Sequence, residues 1–220
     1  MKYELAGEFK RATRDQIAQV IVSAKLLAIV RLPNSNHVQK SIECLISGGV
    51  KVLEITSNTM DFCAHIGFSR NKYPNQLIGA GTIVNEQLAK QAIDAGSQFL
   101  VTPNVNEAVV ELAHKYNIPV LMGALTPTEV SQAVSYGADI VKLFPAVPMG
   151  LDYFSALRGP FSQIPMFAVG GINQGNAAHW LSSGIQGIGV GGELAKEITS
   201  DAEMHTHMKF VQAFIASLKI

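Results

Sequence analysis

SYGADIVKLFPA, residues 135–146, is the stretch that decides the fold. Gly137 ends an amphipathic segment and opens a short apolar run, IVKLFPA. Glycine just past a helix supplies the left-handed conformation that turns the chain into the next element. The same succession occurs in SGGVKVLEIT (47–56), DAGSQFLVT (94–102) and SSGIQGIGV (182–190). Four more apolar, β-rich runs are interleaved with these: LLAIVRL (26–32), LIGAGTI (77–83), IPVLMGA (118–124) and PMFAVGG (165–171). The eight runs recur about every 23 residues, the kind of period that marks a repeated supersecondary unit. Continuous apolar character suits strands buried on both faces, as in a parallel sheet.

Between the runs lie helical patterns. Asn34 or Ser35 is placed to cap a helix with Val38, Ile42, Leu45 and Ile46 on one face, and Asn106 to cap one with Val109, Val110 and Ala113. Thr126-Pro127-Thr128-Glu129 is a strong helix start, with a capping Thr, Pro in the first turn and Glu three residues on. Ala177, Trp180 and Leu181 give the helix after the seventh run its apolar face. Alternating βα units of this number predict an α/β fold, a (β/α)8 TIM barrel, with residues 1–220 as a single domain. An open doubly wound sheet is the competing architecture, and LPNSN after the first run lacks the glycine-rich loop usual there. Residues 1–24 and 201–220 are expected to add helices, one of them closing the bottom of the barrel.

The chain of 220 residues is 48% hydrophobic and 15% charged, which marks a packed globular protein. Its 17 basic and 17 acidic residues balance, so nothing recommends a nucleic-acid or membrane-surface partner. The charged N-terminal stretch has no apolar segment of the signal-peptide kind, and a cytoplasmic location is expected. Cys44 and Cys63 have no CxxC partner; Cys44, in SIECLIS, fits a small core position. His37, His65, His114 and His179 lie on helical patterns, facing solvent or packed on the helix surface. His205 and His207 are two apart on a helix and point to different sides. No metal site and no cofactor are expected.

Charge inside barrel strands is costly, and most runs carry none. The exceptions include Glu54, Lys142 and, at the end of its run, Arg31. Counted from Gly49, Gly96, Gly137 and Gly184, the fifth residue on is Glu54, Val101, Lys142 and Gly189. These fall on strands two, four, six and eight, and one inward layer of this fold draws on alternate strands. A lysine and a carboxylate should therefore share a layer near the C-terminal end, where active sites of such barrels lie. A structural ion pair is the plain alternative. Burial should lower the lysine pKa, and a nearby carboxylate should push it back up. A neutral lysine attacks carbonyls to form a Schiff base, and the carboxylate can move protons. Phe144, two residues after Lys142, belongs with the substrate-contacting set. So do Thr82 in GAGT, and Thr102, Pro103 and Asn104 in VTPN, which suit a carboxylate or hydroxyl. Gly170 and Gly171 after run seven, and Gly191 and Gly192 after run eight, can expose backbone N–H groups to a phosphate.

VLEITSNT, GAGT, VTPN, VKLFPA, AVGGIN and GVGGEL, in this order, resemble the pyruvate-dependent class I aldolases of the 2-keto-3-deoxy-6-phosphogluconate / 4-hydroxy-2-oxoglutarate type. The resemblance runs from about residue 26 to about residue 195. It implies a homotrimeric barrel that cleaves a 2-keto-3-deoxy sugar-acid 6-phosphate to pyruvate and glyceraldehyde 3-phosphate. It matches Lys142 to the Schiff-base lysine, Glu54 to the acid–base and Thr82 to a residue near the pyruvate carboxylate. The sequence departs from the phosphogluconate pattern at Asn58, where arginine is usual, at Val169 in place of Thr, and at Glu193 in place of Ser. Asn58, VTPN and AVGG look closer to the phosphogalactonate branch, where an arginine matching Arg31 stands at the end of strand one. An unphosphorylated keto-deoxy acid or 4-hydroxy-2-oxoglutarate is the alternative substrate. Another phosphate-binding barrel enzyme, such as an isomerase or epimerase, and a non-catalytic sugar-acid-binding barrel are the alternatives of other classes.

Overall fold

The structure, a computed structural model, describes residues 12–218. Eight strands form a closed parallel barrel in sequence order, with β8 paired to β1. They are β1 (Leu26–Val30), β2 (Val52–Thr56), β3 (Leu77–Gly81), β4 (Leu100–Val101), β5 (Val120–Ala124), β6 (Ile140–Leu143), β7 (Met166–Val169) and β8 (Gly187–Val190). The helices are α1 (Arg14–Ala24), α2 (Ser35–Ser47), α3 (Phe62–Lys72), α4 (Glu86–Asp94), α5 (Glu107–Lys115), α6 (Pro127–Ser135), α7 (Gly150–Arg158), α8 (Ala177–Ser182) and α9 (Asp201–Ser217). None of the described helices is long and apolar enough to cross a membrane.

The repeat seen in the sequence is a repeat of backbone geometry. Gly49, Gly96, Gly137 and Gly184 all have positive φ, between 86° and 103°. Gly48 is right-handed, so Gly49 is the correct origin for the count. At three of them the bonds are those of a Schellman turn. The N–H of Gly49, Gly96 and Gly137 donates three residues back, and the next N–H donates five residues back, to Leu45, Ala92 and Ala133. Helix starts follow the expected chemistry: Asn34, Asn106 and Thr126 each cap by side chain, and Thr126 with Glu129 forms a capping box.

Two apolar cores result. One lies between the outer faces of the strands and the surrounding helices and includes Cys44's neighbours Ile42 and Leu45. The other fills the barrel with Leu27, Ile29, Val52, Leu77, Phe99, Val101, Leu121, Ile140, Phe167 and Val169. Ile17 and Ile21 of α1 pack against that interior, so the N-terminal helix is the element that closes the bottom. Residues 1–11 of the expected N-terminal helix lie outside the described residues.

The interior takes two phenylalanine rings because glycines face them. A Cβ on Gly79 would strike the Phe99 ring, and one on Gly187 the Phe167 ring. Ring and glycine together keep the barrel close-packed without off-rotamer strain. Gly187→Ala is therefore expected to destabilise the fold by about 1–3 kcal/mol through overpacking. The midpoint of urea unfolding, at unchanged slope, is the measurement that checks it.

Candidate active site

Side chains alternate across a strand, so the interior residues Val52, Phe99 and Ile140 fix what lies two positions on. Glu54, Val101 and Lys142 also point into the barrel. Gly189 does so too, because a Cβ there would meet Val169 and Ile29. The four residues on alternate strands face the same interior, toward the C-terminal mouth. Glu54 is fully buried, and Lys142 is 4% exposed.

Room for the carboxylate comes from Gly81. A methyl group there would overlap the Glu54 side chain. Neither Glu54 oxygen has a hydrogen-bond partner. Among the described residues no cation lies within 4.0 Å of it, yet Lys142 and Arg31 both act on it by charge. Burial pushes the Glu54 carboxyl up, and the charges of Lys142 and then Arg31 oppose this. Burial holds the Lys142 amine below the usual lysine range; Glu54 pulls it up and Arg31 adds to the lowering. Both members of the pair are thus moved toward their neutral forms. Both shifts run in the direction that favours an amine able to attack a carbonyl and an acid able to hold a proton. The Lys142 Nζ stands 5.0 Å from the centre of the Phe144 ring, which is 37% exposed at the mouth.

Arg31 stands at the end of strand one, as its place in the run LLAIVRL predicts. β1 ends at Val30, and Arg31 lies just beyond it, exposed at the mouth. Its Nη2 donates to Thr82 Oγ1 at 3.2 Å. Thr82 is itself unusual, with φ of 57°, a left-handed conformation that costs a β-branched residue about 1–3 kcal/mol. The Arg31 bond holds its side chain, and Ser57 Oγ donates to its carbonyl at 2.7 Å. Ser57 was not among the expected residues; its position directly after β2 was the available signal.

The VTPN segment is braced rather than open. Thr102 Oγ1 donates to the Asn104 carbonyl at 2.6 Å and accepts from Gly123 N–H at 3.0 Å. Its single proton is spent inside the loop, so it supports the site instead of donating into it. Pro103 crosses over Gly123, where a side chain would overlap its carbonyl. Asn104 is exposed and donates to the Val105 carbonyl at 3.0 Å. Asn58 is exposed on the turn after β2. Gly170 and Gly171 follow β7, and Gly191 and Gly192 follow β8, so both pairs sit at the same C-terminal mouth. There Glu193 Oε2 accepts from Gln174 N–H at 2.7 Å, joining the two loops. The histidines lie elsewhere. His65 bonds to Ser35 and Gln39, His114 to Asp139, and buried His207 to the Leu194 carbonyl, while His205 is exposed.

A family model described as KDPG and KHG aldolase matches residues 17–207. The chain belongs to the KDPG and KHG aldolase family. This makes it a member of a family of lyases built on the barrel described above. The 2-dehydro-3-deoxy-6-phosphogalactonate aldolase of Escherichia coli (strain K12) is 33% identical over 171 residues, covering 77% of this chain and 83% of the relative. The 2-dehydro-3-deoxy-phosphogluconate aldolase of Treponema pallidum (strain Nichols) is 30% identical, covering 76% of this chain and 80% of the relative. Among solved structures, one described as native KDPGal superposes with a TM-score of 0.81 at 30% identity, covering 88% of this chain and 94% of the other. Relatives named for phosphogluconate and for phosphogalactonate match this KDPG and KHG aldolase family member at similar identity.

A buried lysine and carboxylate with no direct bond are a poor way to stabilise a barrel. Replacing both by apolar residues, Glu54→Leu with Lys142→Met, is expected to raise stability by about 1–4 kcal/mol. Glu54→Leu alone should lower it by about 3–5 kcal/mol, because the lysine is left without its compensating charge. Urea unfolding of the three proteins checks both signs.

Proposed function

We propose that this protein is a class I aldolase that cleaves a 2-keto-3-deoxy sugar acid of the gluconate or galactonate type to pyruvate and a three-carbon aldehyde. One observation carries the proposal: a lysine and a carboxylate inside the C-terminal half of the barrel, each moved by burial toward its neutral form. The names of its relatives, phosphogalactonate and phosphogluconate aldolases, support the keto-deoxy acid class.

Lys142 Nζ adds to the C2 carbonyl and gives a carbinolamine. Glu54 donates a proton to the departing hydroxyl, water leaves, and an iminium forms. Glu54, now a carboxylate, accepts the proton of the C4 hydroxyl. The C3–C4 bond breaks, its electrons move into the iminium to make an enamine, and the aldehyde departs. Glu54 returns its proton to C3, and water releases pyruvate from Lys142. One carboxylate serves each transfer, which suits a group whose pKa is raised out of the usual carboxylate range.

Arg31 supplies the charge for the C1 carboxylate, with Thr82 beside it. This arrangement supports Arg31 in the role that the neutral Asn58 cannot fill. Asn58 and Asn104 line the rim, and Phe144 covers one side of the lysine. Thr102 and Pro103 hold that wall in place. The turns at Gly170, Gly171, Gly191 and Gly192 receive the far end of the substrate.

Borohydride with pyruvate is expected to trap a covalent adduct on Lys142, located by peptide mass mapping; an unmodified lysine in folded protein would sink the proposal. Lys142→Ala should abolish turnover. Glu54→Gln should slow exchange of the pyruvate methyl protons by about 10²- to 10⁴-fold, the usual loss for an acid–base group.

The pH profile of trapping carries a sign test. Trapping rises with pH as Lys142 loses its proton. Glu54 raises the lysine pKa, so Glu54→Gln should move the midpoint to lower pH. Arg31 lowers it, so Arg31→Gln should move the midpoint to higher pH, measured at saturating pyruvate. A midpoint unmoved in both variants would count against the coupled pair.

A further inference from the structure

Glycines at the ends of β7 and β8 suggest an anion site because they leave backbone amides open. The structure gives the first pair a different reason to be glycine. Gly170 and Gly171 have φ of 95° and 84°. A Cβ on Gly170 would stand 3.2 Å from the Phe144 ring, and one on Gly171 would stand 2.8 Å from Val147 Cβ. Packing against the exit of β6 demands these glycines whether or not an anion binds.

The amides that follow are already occupied. Asn173 N–H donates to Asn176 Oδ1 at 2.9 Å, Gln174 N–H to Glu193 Oε2 at 2.7 Å, and Gly175 N–H to Asn173 Oδ1 at 2.9 Å. The side-chain amides of Asn173 and Asn176 donate back to the Gly171 carbonyl at 3.3 and 3.1 Å. Three successive amides are what would cradle a phosphate. Here each has an acceptor from this chain, and the middle acceptor is a carboxylate. Among the described residues no Lys, Arg or His nitrogen lies within 4.0 Å of the Glu193 carboxylate to offset its charge. The site is close to the chemistry. The centre of the Phe144 ring lies 5.0 Å from Lys142 Nζ, and it is this same ring that a Cβ on Gly170 would approach.

We propose that Glu193 makes the far end of this active site select an uncharged, hydroxylated tail, so that the substrate is an unphosphorylated 2-keto-3-deoxy sugar acid and the released aldehyde is glyceraldehyde. The inference rests on Lys142 being the Schiff-base residue. A carboxylate accepts hydrogen bonds only. Sugar hydroxyls donate to it, whereas a phosphate brings about two negative charges and more acceptors. Like charges brought together at a site with no intervening cation repel. Glu193 thus takes up the Gln174 amide and sets a carboxylate beside the turns after β7 and β8, with Oε1 left to accept from hydroxyls.

The test is aldol synthesis from pyruvate with glyceraldehyde and with glyceraldehyde 3-phosphate, compared as a ratio of kcat/KM. The ratio cancels any loss of folded protein in a variant. Wild type is expected to favour glyceraldehyde by about 10-fold or more. Glu193→Ser should shift the ratio toward the phosphate by about 10- to 100-fold, and the isosteric Glu193→Gln should shift it the same way. A wild type that prefers the phosphorylated aldehyde, or a ratio unmoved in both variants, overturns the inference. Exchange of the pyruvate methyl protons by wild type, measured with no aldehyde present, separates the two levels. Exchange with the wrong aldehyde preference defeats only the role of Glu193. No exchange at all defeats the Schiff-base proposal and this inference with it.

Discussion

The constraint on which the rest depends is the placing of two ionisable groups inside a close-packed barrel. Interior positions of this fold are meant for branched apolar side chains, and many here are filled that way. Glu54 and Lys142 break the pattern. Neither Glu54 oxygen finds a hydrogen bond, and burial acts first on both groups. Such an arrangement subtracts from stability, so the fold must be secured elsewhere. It is secured by the lower barrel, where α1 packs Ile17 and Ile21 under the interior, and by the core between strands and helices. The division runs along the barrel axis: apolar packing at the bottom, titratable chemistry toward the mouth.

Glycine makes that division possible, and it does so in three different ways. At Gly49, Gly96, Gly137 and Gly184 it turns helix into strand. At Gly79 and Gly187 it yields space to phenylalanine rings, and at Gly81 to the Glu54 carboxylate. At Gly170 and Gly171 it lets the loop after β7 close against Phe144 and Val147. Only the first use follows a local rule. The others depend on which side chain arrives from a neighbouring strand or loop.

That difference explains what could be read in advance. The eight strands and the alignment of Glu54 with Lys142 were legible because both follow from a local period and a fixed offset from a turn. β4 came out shorter than its apolar run, at two residues. Pro103 has no N–H for the ladder, and the Thr102 hydroxyl takes the Gly123 N–H instead. Arg31 was legible as a charge at a strand end but not as the partner of Thr82, because that bond spans 51 residues. The left-handed Thr82 gave no local sign, since a β-branched residue is the last expected at that φ. The bond between Glu193 and Gln174 was hidden for the same reason; the sequence marks the carboxylate but not the amide it meets.

The centre and the rim of the mouth are therefore built on different principles. Lys142 and Glu54 hang from strands whose ladders are fixed by many backbone bonds, and a shift of either would mean a shift in barrel register. Arg31, Asn58, Asn104 and Glu193 stand beyond the strand ends, held by single side-chain bonds or by none. A substitution at the rim leaves in place the strands that carry the pair. A carboxylate at position 193 is tolerable on those terms. It accepts from the Gln174 amide, and its charge stays on the loops, away from the strands that carry the lysine. The proposed chemistry then belongs to the barrel, and the proposed choice of substrate tail to two loops joined by one hydrogen bond.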